Sequence, residues 1–91
     1  MADIVIYTRA GCGYCWRAKR LLDAKGVTYR EIDVGTDPES ERKMVENSGD
    51  RQTVPQIFID GRHVGDSTEL IALERSGALD RLLAGGSTPD G

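Results

Sequence analysis

The stretch "AGCGYCWRAKRLL", residues 10–22, decides how the rest of the chain is read. Two thiols three positions apart open a run that turns basic and apolar at helical spacing. Cys15, Ala18, Leu21 and Leu22 fall on one face, and Arg17, Lys19, Arg20 and Asp23 are left to water. The spacing predicts a helix over residues 13–25, closed by Gly26 at the position where a C-terminal glycine belongs. Just upstream, residues 3–8 (DIVIYT) are β-branched and aromatic, as a buried strand requires. The thiol pair therefore stands where a strand hands over to a helix.

Working outward, residues 27–34 (VTYREIDV) predict a second strand, with Tyr29, Ile32 and Val34 apolar and Arg30, Glu31 and Asp33 polar. Asp37 followed by Pro38 marks a helix start. That helix carries Met44 and Val45 and breaks at Ser48-Gly49-Asp50. Residues 56–60 (QIFID) read as a third strand, and Asp60-Gly61 as a two-residue hairpin turn into a fourth over 62–64. Asp66 with Glu69 has the spacing of a capping box. Leu70, Ile71 and Leu73, then Leu79, Leu82 and Leu83 beyond Gly77, supply a last helix or helix pair. The order β-α-β-α-β-β-α implies an α/β fold with a mixed four-stranded sheet flanked by helices: a crossover gives a parallel pair, the hairpin an antiparallel edge. Residues 1–84 are expected to form one domain, and the apolar-free residues 85–91 a flexible tail.

Composition narrows the function classes. Hydrophobic residues at 38% and charged residues at 30% fit a globular chain and exclude intrinsic disorder. A net charge of −3 gives no reason to expect nucleic acid or an anionic membrane as partner. No apolar run approaches the ~20 residues of a membrane helix. The first eleven residues lack a basic segment, and their apolar run is only Ile4, Val5 and Ile6, so no secretory signal is expected. A reducing, cytoplasmic setting follows as the default, and there two cysteines seldom serve as a permanent staple.

Four readings of the thiols compete. A closed zinc site needs more ligands than two cysteines and His63, the single histidine. A crosslink across so short a loop removes little chain entropy. Simple burial of small apolar residues explains Cys15, on the apolar face, and explains Cys12 poorly. Cys12 lies between Gly11 and Gly13 at the helix start, where unpaired amides and the helix dipole favour thiolate, as would Arg9 or Arg17 nearby. That leaves an exposed nucleophile at Cys12 and a sheltered resolving thiol at Cys15. A C-x-x-C after a strand in a βαβ pattern reads as a redox motif.

From residue 4 to residue 83 the chain resembles the glutaredoxins, carried by "YTRAGCGYC", "TVPQIFIDGRHVG" and "ALDRLL". The resemblance implies the thioredoxin fold and glutathione-dependent reduction of glutathione mixed disulfides and protein disulfides. Cys12 would be the nucleophile and Cys15 the resolving thiol. It implies glutathione as reducing co-substrate, disulfide-containing or glutathionylated proteins as partners, and a monomer. It also places a cis bond before Pro55, leaving Val54 backbone groups to pair with the cysteinyl part of glutathione; without it, a trans strand-entry proline is the ordinary case. Arg9, Tyr14, Arg51, Thr53, Val54, Pro55, Gly65, Ser67 and Thr68 are the glutathione-binding positions so implied. Arg9 and Arg51 suit its carboxylates or are solvated arginines; Tyr14 lines the groove or is a packed surface ring. Ser67 and Thr68 open a helix whose free amides suit the other carboxylate.

Three positions depart from the family pattern. Gly13 stands where proline commonly follows the first cysteine. Non-proline variants in the family include proteins that hold a [2Fe-2S] cluster between two subunits with glutathione, so a cluster carrier with Cys12 as this chain's ligand is the alternative function; no metal is expected in the apo protein. Trp16 is either a partly exposed ring near the dithiol or a helix-packing residue. Asp66 replaces a glycine, and its carboxylate would compete with glutathione for the helix amides.

Overall fold

The computed structural model describes residues 2–84, so the tail expected over residues 85–91 lies outside the described residues. Its elements run β1 (Ile4–Thr8), α1 (Gly13–Ala24), β2 (Arg30–Asp33), α2 (Pro38–Asn47), β3 (Gln56–Ile59), β4 (Arg62–Gly65), α3 (Ser67–Ser76) and α4 (Ala78–Leu83). The four strands form one sheet in the order β2-β1-β3-β4. β1 pairs with β2 in parallel and with β3 antiparallel; β3 pairs with β4 antiparallel. The expected mixed sheet is thus present, with β1, the strand that feeds the thiols, inside it.

Most boundaries fall where the sequence placed them. The exception is β2, which covers only Arg30–Asp33 of the expected 27–34. Its ladder with β1 begins at Val5 opposite Arg30, so the preceding three residues are spent in bringing the chain from the end of α1 to the sheet edge. Asp60 (φ 53°) and Gly61 (φ 79°) are both left-handed, as the hairpin turn demands. Gly77 at φ 84° separates α3 from α4, so the last segment is a helix pair.

Alternation along β1 buries Ile4, Ile6 and Thr8. Ile4 and Ile6 meet Ile57 and Ile59 of β3, Ala18 and Leu22 of α1, Leu70 of α3 and Leu79 of α4 in a single cluster. Met44, the buried residue of α2, lies outside that cluster. The core therefore fastens α1 rigidly against the central strands, and the loop from β1 into α1 sits on a fixed base. Lys25, at the end of α1, reaches Glu74 at 2.7 Å and Asp80 at 2.6 Å, tying this helix to α3 and α4.

Candidate active site

β1 ends at Thr8, and Cys12 forms the N-cap of α1 in extended conformation (φ −97°, ψ 111°). A cap residue places its side chain over the free amides of the first turn. The Cys12 sulfur accepts the Cys15 amide N–H at 3.3 Å, and the Cys12 thiol faces the Val54 carbonyl at 3.7 Å. Both cysteines are free thiols; Cys12 is partly exposed and Cys15 is 3% exposed. Burial, and next the hydrogen bond with Cys12, push the Cys15 thiol up to about 11. One sulfur stands at a helix start open to solvent, and the other is held as a thiol beneath it.

Cys12 lines one of two neighbouring clefts and borders the other through its contact with the Val54 carbonyl. The latter, of about 370 Å³, is lined by Tyr14, Thr53, Val54, Pro55, Asp66, Ser67 and Thr68. The structure thus gathers six of the expected glutathione positions, drawn from α1, the loop before β3 and the start of α3. The Val54–Pro55 bond is cis, in line with the resemblance and against the ordinary X-Pro preference. Leu70 N–H bonds back to the Asp66 carbonyl at 2.9 Å, and Glu69 N–H goes to the Asp66 carboxylate at 3.0 Å. The Ser67 and Thr68 amides precede the first intrahelical bond and are left to a ligand or water. Tyr14 is 60% exposed, a ring at the cleft rather than packed on the surface.

The other cleft, of about 430 Å³, contains Arg9, Cys12, Cys15, Trp16, Lys19 and Glu31 among its lining. Arg9 is thus near the thiols but outside the cleft of Tyr14 and Pro55, and its guanidinium pairs with Glu41 at 3.0 Å. Glu31 accepts from Thr8 Oγ1 at 2.8 Å and from Lys19 Nζ at 3.0 Å, and these two contacts, in that order, hold its carboxyl below the usual range. Arg17, proposed as a thiolate partner, lies 5.9 Å above the Tyr14 ring. Trp16 is 57% exposed with the Arg20 guanidinium 4.9 Å above it, so it is a surface ring.

Arg51 and Gly65 do not line either cleft, and the reason is a contact the sequence reading missed. Arg51 donates to both carboxylate oxygens of Glu69, at 2.6 and 3.0 Å. Glu69 also accepts the Asp66 N–H at 2.9 Å, completing the capping box. Gly65, at φ 124°, makes room for this: a Cβ there would run into the Glu69 carboxylate. The ion pair therefore links the loop before Thr53 to the helix after Asp66, spanning the two walls of the cleft. Gln56 was missed as well. It is fully buried, donates to the Thr53 carbonyl at 3.0 Å, and shares a 2.7 Å hydrogen bond with His63 Nε2. Burial holds the His63 imidazole below its usual range, and the ring's role here is to brace Gln56. A lone polar residue opening the otherwise apolar strand QIFI was the available signal. Among the described residues, no three His, Cys, Asp or Glu side chains gather as a metal site.

Residues 4–64 match the family model described as Glutaredoxin. "Glutaredoxin 1" of Rickettsia felis is 52% identical over 83 residues, covering 90% of this chain and 81% of that protein. The solution structure of a glutaredoxin from Brucella melitensis superposes with a TM-score of 0.80 at 54% identity, over 91% of this chain and 89% of that one. A buckwheat glutaredoxin–glutathione complex gives 0.82 at 29% identity, over 91% and 77%. The mixed sheet with its helices is accordingly a thioredoxin fold, the thiol pair supports a thiol–disulfide oxidoreductase role, and the chain belongs to the glutaredoxin family.

Proposed function

We propose that this chain is a glutathione-dependent thiol–disulfide oxidoreductase with Cys12 as nucleophile and Cys15 as resolving thiol. The observation that carries the reading is the inequality of the sulfurs: Cys12 caps α1 between two clefts, while Cys15 is buried and kept as a thiol. Helix amides favour negative charge on the capping sulfur. The Cys12 thiolate attacks the glutathionyl sulfur of a mixed disulfide, a new S–S bond forms, and the other thiolate leaves and takes up a proton. A second glutathione then attacks the adduct, releasing glutathione disulfide and the free enzyme thiol. With a protein disulfide, Cys15 loses its proton and attacks the Cys12 mixed disulfide. The substrate leaves with both sulfurs reduced, and two glutathiones afterwards reduce the Cys12–Cys15 disulfide.

The cleft of Tyr14, Thr53, Val54 and Pro55 is the proposed glutathione site, with the Ser67 and Thr68 amides receiving a carboxylate. Arg9 can contribute only from the opposite cleft. Arg51 and Gly65 serve the site indirectly, through Glu69. The proposed setting is a reducing one. A bridging [2Fe-2S] cluster would take Cys12 from each of two copies and the remaining thiolates from glutathione; nothing observed favours it over the enzyme.

Turnover of a small glutathione mixed disulfide, coupled through glutathione reductase, tests the reading. Cys12→Ser should abolish it and Cys15→Ser should spare it. Equal loss in both variants rejects the scheme.

A further inference from the structure

The proposed glutathione cleft leaves one side of α1 unexplained. Tyr14 and Trp16 are the large hydrophobic residues exposed on the described surface, and each lies under an arginine, Arg17 and Arg20. At roughly 100° per residue, Trp16, Arg20 and Arg17 follow one another around the outer face of α1. Beyond Arg17 lies a groove of about 570 Å³ shared with α3, where Ile71 and Ala72 are flanked by Arg75. From Gly13 to Leu22 the helix carries Arg17, Lys19 and Arg20 and no acid, in a chain whose net charge is −3. Arg17, Arg20 and Arg75 form no ion pair among the described residues, which they share with Arg30, Lys43, Arg62 and Arg81, and so their guanidinium groups are open to a partner's carboxylates. A positive, partly aromatic strip thus begins beside the thiols and runs against the overall charge.

We propose that this strip, from Trp16 through Arg20 and Arg17 to Arg75, is the docking surface for acidic polypeptide substrates whose disulfide is presented to Cys12. The inference rests on the oxidoreductase reading above and adds the class of partner. Arginine stacked on an aromatic ring keeps its N–H edge for a carboxylate, and the ring offers flat apolar contact to the chain that carries it. Trp16 lies about 6 Å and Arg20 about 12 Å along the helix from Cys12, at 1.5 Å per residue. An extended chain covers ~3.3 Å per residue, so carboxylates about two to four positions from the substrate cysteine reach these groups. Three arginines are few for holding a polyanion on an acidic protein, which favours a short acidic segment over a membrane or nucleic acid.

The test compares two disulfide peptides of equal length, one with glutamates and one with lysines two and three positions from each cysteine. Reduction is followed with glutathione and glutathione reductase at low salt. We expect kcat/KM about tenfold higher for the acidic peptide, through association rate, and a ratio that shrinks as salt is added to the unaltered protein. The double variant Arg20→Glu, Arg75→Glu should lose or reverse the preference while turning over a small glutathione mixed disulfide at the original rate. Equal kcat/KM for the two peptides overturns the proposal, as does a double variant that slows both peptides and the small substrate alike. Competition by an oligonucleotide as strong as that by a glutamate-rich peptide would assign the strip to polyanions and also overturn it. Absence of turnover even with the small mixed disulfide defeats the oxidoreductase reading itself, a result distinct from the others.

Discussion

Cys12 and Cys15 differ in position by one helical turn and in chemistry by their surroundings. At the cap, a sulfur meets free amide N–H groups; one turn in, it meets the core. That difference was legible in the sequence because it follows from the strand-to-helix junction and the apolar face. Glu69 was not legible in the same way, since its partner Arg51 lies 18 residues away and only the folded chain brings them together. Arg51 first, and the Asp66 amide second, hold the Glu69 carboxyl at about 2, against an ordinary value of 4.5. The fold therefore favours the ionised form. The stability this adds is complete above about pH 4.5 and is lost as pH falls toward 2. Glu69→Gln should unfold at a lower temperature at neutral pH, and should lose less stability than the parent between pH 5 and pH 2. Parallel acid slopes for the two proteins would show that the pair adds nothing.

At the scale of elements, the turn from β4 into α3 has to satisfy two demands. Gly65 must hold φ 124° and leave space for Glu69, and Asp66 must cap α3. Gly65→Ala should cost about 1–3 kcal/mol, from the backbone conformation alone, in chemical denaturation, with the side-chain collision adding to it. A loss within a few tenths would mean both that the turn relaxes out of the left-handed region and that Glu69 moves aside freely. Asp66 puts a carboxylate in the cleft wall where a glutathione carboxylate is proposed to sit. Asp66→Gly should lower the KM for glutathione at a stability cost of only a few tenths of a kcal/mol, because glycine is a tolerable cap. An unchanged KM would place the carboxylate elsewhere. The capping box and the helix starts were readable from local spacing. The length of β2 was not, because its apolar pattern starts at Val27 and Tyr29, before Arg30, where pairing with β1 begins.

For the whole molecule, one cluster centred on β1 and β3 holds α1 against the sheet, and with it the cap that carries Cys12. Leu22→Ala, at a fully buried position of that helix, should destabilise by about 2–5 kcal/mol and lower the melting temperature accordingly. A smaller loss would mean that α1 is not anchored through this cluster. The mixed four-stranded sheet followed from alternation, turn residues and the crossover rule, whereas the strand order β2-β1-β3-β4 and the division of the last segment into two helices came only with the folded chain. The linkage of the cleft walls through Arg51 and Glu69, and of Gln56 to His63 and Thr53, depends on tertiary placement that no local pattern encodes. What the fold accomplishes is to make two identical side chains unlike. Limiting iodoacetamide on the reduced protein at pH 7, followed by peptide mass analysis, tests this most directly. Label should accumulate on Cys12 while Cys15 stays unmodified until the chain is unfolded; equal labelling of the two, or Cys15 reacting first, would contradict the account.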